Sequence, residues 1–197
     1  MTEKKLDVSS YGIYLLSIDK LTVFLKENKI RSRKILEFFQ KNHELYLKSL
    51  EQGVWLPILP IDSMEYIIKF DNSEKFDSNW EKVFNIDEFN LEIGNDNSFW
   101  VGSIGNLLKF EVENYLNNTE DCNSYSTLDG EILYDSFKFN IENGKYLVNI
   151  IGYKRKSALE YPEANYGYSF EFKKVEQFIG YKDPREDDKY VFNLSTY

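Results

Sequence analysis

The stretch EILYDSFKFNIENGKYLVNIIGYKR, residues 131–155, constrains the fold more than any other. Leu133, Phe137, Phe139 and Ile141 recur at a two-residue period, the signature of a β-strand with one buried face. Asn143 and Gly144 suit the positive-φ positions of a tight turn, so KYLVNIIGYKR is expected to return as the second arm of an antiparallel hairpin. Phe89, Leu91 and Ile93 alternate in the same way, and GNDN separates them from residues 98–101, which predicts another hairpin with a four-residue turn. MEYIIKF, YGYSFEFKKV and KYVFNLS read as further strands, and a short one is expected at residues 11–16. WLPILPI carries Pro57 and Pro60, which cannot donate to a ladder, and therefore belongs at a sheet edge or in an extended connection.

Helical spacing is confined to the first quarter of the chain. Residues 18–28 can form a short helix. The stronger signal is SRKILEFFQKNHELYLKSLEQG, in which Ile35, Phe38, Phe39, Leu45, Tyr46 and Leu50 share one face; Ser32 is placed to cap it and Gly53 to stop it. Helices followed by strands predict an α+β fold, with N-terminal helices packed on a mainly antiparallel β-sheet. No repeat or Gly/Ser linker divides the 197 residues, so one domain is expected over 1–197, helical over about 18–52 and β-rich over about 54–197. A 42% hydrophobic fraction supplies a core of ordinary size. The start MTEKKLDVSSYG lacks the apolar run of a signal peptide, and the longest apolar runs are far too short to span a bilayer, so a soluble cytoplasmic protein is expected.

The net charge of −9 is unevenly distributed. Residues 1–52 carry ten Lys or Arg and seven Asp or Glu, residues 53–152 carry six and eighteen, and residues 153–197 carry eight and eight. An acidic middle of that size repels phosphate backbones and attracts cations or basic proteins, which disfavours direct nucleic-acid binding.

Catalytic signatures are sparse. His43 is the only histidine and Cys122 the only cysteine, so a disulfide, a cysteine-based zinc cluster and most Ser-His or Cys-His arrangements have no residues to work with. Ser103 in WVGSIGN has Val101 where a nucleophile elbow needs glycine. No phosphate-binding glycine loop occurs. Cys122 sits among acids, which disfavour a thiolate. DNSEKFD offers Asp71, Ser73, Glu74 and Asp77 but lacks the glycine that bends a calcium loop, and DPREDDKY reads as a charged turn opened by Asp183. No catalytic residue, cofactor or metal site is therefore expected. A carboxylate pair could still serve a small hydrolase, although no spacing marks one.

The stretch KVFNIDEFNLEIGNDNSFWVG, residues 82–102, mixes acids with aromatics. If Leu91 and Ile93 point inward, Asp87, Glu88, Glu92 and Asp96 project outward with Trp100 able to join them. Acids around an aromatic anchor suit an Arg/Lys-rich partner. Glu120 and Asp121 form a second candidate patch.

In overall character, and in stretches such as EIGNDNSFWVGSIGNLLKF and GEILYDSFKFNIENGKYLVNIIGYKRK, the chain resembles the immunity proteins of bacterial contact-dependent and polymorphic toxin systems. The resemblance implies stoichiometric neutralisation of a cognate toxin, often a basic nuclease, by occlusion of its active site or a neighbouring surface. The partner-binding residues would be Asp87, Glu88, Glu92, Asp96 and Trp100, with Glu120 and Asp121. A generic interaction module, self-assembling through residues 166–175 and 190–194, is a further reading.

Overall fold

The computed structural model describes residues 3–70, 75–186 and 189–197. Among the described residues ten strands form two five-stranded sheets. The first has the order β1-β4-β10-β9-β5, from Lys5–Asp7 (β1), Glu65–Phe70 (β4), Tyr166–Val175 (β10), Gly144–Arg155 (β9) and Trp80–Ile93 (β5). The second has the order β3-β2-β6-β8-β7, from Trp55–Ile58 (β3), Ile13–Leu16 (β2), Ser98–Ser103 (β6), Ile132–Asn140 (β8) and Cys122–Ser126 (β7). Pairing is antiparallel except between β4 and β10. The α+β class holds, with two sheets in place of one, strands β1 and β2 ahead of the helices, and short helical segments later in the chain.

The sheets face each other across a continuous apolar core. Phe89, Leu91 and Ile93 of β5, with Val148 and Ile150 of β9, meet Phe99 and Val101 of β6 and Phe137 and Phe139 of β8. The alternation seen in the sequence is therefore real. The connections it suggested are different. β5 and β6 lie in opposite sheets, as do β8 and β9, so GNDN and Glu142–Asn143 cross between layers and close no hairpin. A hairpin and a layer crossing demand the same inward residues on both arms, so periodicity cannot separate them. The two crossings dock on each other: the Asn143 amide N–H donates to Asn97 Oδ1 at 2.9 Å, and the Ile141 N–H donates to the Asn97 carbonyl at 3.0 Å.

Helices cover the second face of the β3-β2-β6-β8-β7 sheet. Ile18–Glu27 (α1) buries Ile18, Leu21 and Phe24, and Gly53 ends the helical stretch at φ +66. The single helix expected from residue 32 onward is divided into Ile35–Lys41 (α2) and His43–Glu51 (α3). Asn42 causes the break. Its backbone is non-helical, at φ −124, and its side-chain amide donates to the Phe38 carbonyl at 2.8 Å beside its own backbone N–H at 3.0 Å, capping the end of α2. Ser32 caps no helix; its hydroxyl accepts from the Lys34 N–H in the preceding turn. Phe39 stacks on Trp55 with ring centroids 5.1 Å apart, fixing α2 to the sheet.

β3 is an edge strand, as Pro57 within it requires. β10 is central, paired with β9 along its length and with β4 over Gly167–Phe170. Residues 190–194 form no strand and bury Phe192 and Leu194, so they are not the exposed strand expected to self-assemble. Among the described residues no helix is long and apolar enough to cross a membrane.

Candidate partner-binding surface

The acids expected to bind a partner in the 82–102 stretch are engaged in contacts within the chain. Asp87 and Glu88 lie in a β-bulge, where the pairing of β5 with β9 jumps between Ile86 and Phe89 and Glu88 takes φ 68. Both are exposed, and Lys182 already answers them, donating to the Asp87 carbonyl at 2.7 Å and lying 3.9 Å and 3.6 Å from the two carboxylates. Glu92 forms an ion pair with Lys20 at 2.6 Å on the wall of a cavity of mixed charge. Asp96 accepts from the hydroxyls of Ser17 at 3.3 Å and Ser98 at 2.9 Å, which ties the crossing turn to the start of α1. Each of these acids is thus already engaged within the chain.

Trp100 does not belong to any surface. It is 1% exposed, its ring edge-on to Tyr115 at 5.0 Å, because the face of β6 turned away from the inter-sheet core is covered by residues 104–109 and by Glu113–Leu116 (α4). Expecting Trp100 outside assumed a sheet with one wet face; every residue of β6 is buried.

Glu120 and Asp121 are exposed and lead into the feature that carries the strongest acid-and-aromatic character, the hairpin of β7 and β8. Its turn is local and tight. The Thr127 N–H donates to the Glu131 carbonyl at 2.9 Å, and Gly130 takes φ 88, a conformation glycine adopts without a Cβ penalty. Leu128 at the tip is wholly exposed, and Tyr125, Ile132 and Tyr134 are exposed large apolar side chains on the two arms. Between Lys109 and Lys138 the chain carries Glu111, Glu113, Glu120, Asp121, Asp129, Glu131 and Asp135 and no Lys or Arg.

On its inner side the hairpin overhangs the β1–β4 edge of the other sheet and makes a groove. One part, of about 500 Å³, runs between Lys4, Cys122, Ile132, Tyr134 and Phe137; a second, of about 350 Å³, continues past Met64 to Tyr161 and Tyr166. Glu65, Leu133 and Pro162 line both. Tyr134 stacks on Phe137 at 5.5 Å, and the Tyr125 hydroxyl donates to Asp7 at 2.7 Å, so the arm is held over the groove by a ring contact and a charge-assisted hydrogen bond.

The groove's own lysines are engaged. Lys5 pairs with Glu163 at 3.3 Å, and the Lys4 ammonium lies 5.0 Å from the ring centroids of both Phe137 and Phe139. Glu3, Asp7, Glu65, Glu131 and Glu163 outnumber them. Burial raises the Glu65 carboxyl; Lys5 opposes the rise, and Asp7, Glu131 and Glu163 add to it, the electrostatic mark of several carboxylates sharing one wall. A basic side chain entering here finds carboxylates to accept guanidinium bonds and tyrosine rings to cover it.

Other residues singled out in the sequence have structural surroundings. Ser103 is fully buried and its hydroxyl accepts from the Ser9 N–H at 3.3 Å. His43 is exposed and stacks on Tyr46. Burial, followed by Glu120, raises the Cys122 thiol. Asp183 accepts from the Arg185 N–H and the Tyr46 hydroxyl, closing the charged turn onto α3, while Asp187 and Asp188 lie outside the described residues. Asp77 caps its own turn through the Asn79 N–H; Asp71, Ser73 and Glu74 also lie outside the described residues. Among the described residues no three His, Cys, Asp or Glu side chains are grouped to hold a metal ion.

The hairpin had a signal in the sequence. Asp129-Gly130 is a turn dipeptide between the alternating residues of SYS and ILYD, and the run of seven carboxylates without a cation surrounds it. No family model, curated protein or solved structure matches this chain.

Proposed function

We propose that the protein is a stoichiometric binder of a basic protein, acting as an immunity protein that neutralises a cognate bacterial toxin of the basic, nuclease-like kind, and that its binding surface is the β7–β8 hairpin and the groove beneath it. The observation that carries this reading is the coincidence of exposed Tyr125, Ile132, Tyr134 and Leu128 with the cation-free acidic run from Glu111 to Asp135. The physical roles divide cleanly. The carboxylates raise the encounter rate with a positive partner and accept its Arg and Lys donors, and the tyrosines and aliphatic side chains supply the desolvated area that slows dissociation. The wholly exposed tip at Leu128 is also accessible to a concave site, the geometry that occlusion of a toxin requires.

The test is site-directed photocrosslinking in the cells that make the protein, with a photoreactive phenylalanine replacing Tyr134 or, as a control, Glu88. Crosslinking from position 134 to one basic protein, with none from position 88, is expected. Equal crosslinking from both positions, or none from 134, would remove the hairpin from the account.

A further inference from the structure

A second cavity lies on the other side of the hairpin, and it is built almost wholly of polar groups. It has a volume of about 400 Å³ and is lined by Asn106 and Lys109 from the 104–109 turn, Asn114 and Tyr115 from α4, Asn123 from β7 and Asp135 from β8. At its back the hydroxyls of Tyr14 and Tyr115 meet at 2.8 Å. Asn123 is held on both sides, its Oδ1 accepting from Asn118 at 2.6 Å and its amide donating to Ser136 Oγ at 2.9 Å.

Asp135 reaches this cavity because of an irregularity in the ladder. Asn123 pairs with Ser136 and Ser124 with Tyr134, so Asp135 is the extra residue of a β-bulge, a device that re-aims a side chain. One carboxylate oxygen accepts from the Ser136 hydroxyl at 3.2 Å. The charged neighbours are occupied with each other: Glu111 pairs with Lys109 at 3.3 Å and with Arg33 at 3.4 Å. Among the described residues no cation lies within ion-pair distance of Asp135. Burial raises its carboxyl, the Ser136 and Asn106 side chains oppose the rise by hydrogen bonding, and no counter-ion joins them.

We propose that this cavity receives one cationic side chain, an arginine or lysine of the basic partner, with Asp135 as its counter-ion and the carbonyl oxygens of the asparagine amides as further acceptors. The inference rests on the partner reading above and adds a specific seat to it: the groove holds one side of the partner's contact and the Asp135 cavity holds a single basic residue on the other side of the same hairpin. Entry of a cation removes the uncompensated charge, and a neutral side chain of the same shape does not.

The test uses the intact protein and small probes, so it does not depend on finding the partner. N-acetyl-arginine amide, N-acetyl-lysine amide and the uncharged N-acetyl-citrulline amide are titrated while the side-chain amide resonances of Asn106, Asn114 and Asn123 are followed by NMR. Saturable shifts with a cationic probe, absent with citrulline and weakened at least about tenfold in Asp135→Asn, are expected. The isosteric variant keeps the fold, checked by its melting curve, and Asp87→Asn at the β5 bulge leaves probe binding unchanged. Absence of shifts with both cationic probes, equal shifts with citrulline, or unchanged binding in Asp135→Asn would overturn the proposal. A protein that binds the probes but crosslinks to no partner would count against the partner reading alone.

Discussion

The Tyr125 hydroxyl donates to Asp7 at 2.7 Å, fastening the outer arm of the β7–β8 hairpin to the first strand of the opposite sheet. This bond holds the Tyr125 phenol up to about 12, because ionising it would set two negative charges against each other; burial adds to the rise. The folded value exceeds the ordinary value of 10.0, so the contribution to stability is complete below that value and is lost as pH rises through the folded one. Following the tyrosine ring carbons by NMR, Asp7→Asn should bring Tyr125 down toward its ordinary value. An unmoved titration would show that the bond does not hold the arm.

Trp100 is predicted to be a stability residue. Its ring is fully buried beneath the 104–109 turn and α4, so Trp100→Ala should cost about 3–5 kcal/mol in chemical denaturation. A change below about 1 kcal/mol would mean that the layer over β6 is open and that the residue is available to a partner.

Asp96 separates the two roles that acidity can play. Its carboxylate accepts from Ser17 and Ser98, and Asp96→Asn replaces one acceptor oxygen by a donor. A loss of about 1 kcal/mol in stability is expected, with partner affinity retained. The reverse outcome, full stability with weakened binding, would return the 82–102 stretch to the interface.

How far these assignments could be read in advance differs by level. Inward positions such as Leu91, Ile93, Phe137 and Phe139 were legible, because the two-residue period reports which side chains meet the core whatever the strand pairs with. Pairing was not legible: Asn143-Gly144 has hairpin chemistry but leads from one sheet to the other, and its docking on Asn97 is a contact between crossings remote in sequence. The Asn42 break was masked because Phe39 and Tyr46 continue the same apolar face across it. For the candidate surface, the sign of the charge and its place in the middle of the chain were legible. Its address was not, since Trp100, the aromatic expected to anchor the acids of residues 82–102, is covered by a helical layer that a strand pattern does not announce. Glu120 and Asp121 alone, of the acids expected at an interface, lead into the hairpin.

The most direct measurement is a calorimetric titration of the crosslinked partner, once purified, against the protein and two variants. Glu131→Gln with Tyr134→Ser alters the hairpin, and Asp87→Asn alters the bulge by the same charge on β5. The account predicts one-to-one binding, weakened about 100-fold or ~2.8 kcal/mol by the hairpin variant and left within a few-fold by the bulge variant. Unchanged affinity in the hairpin variant, or an equal loss in the bulge variant, would contradict it.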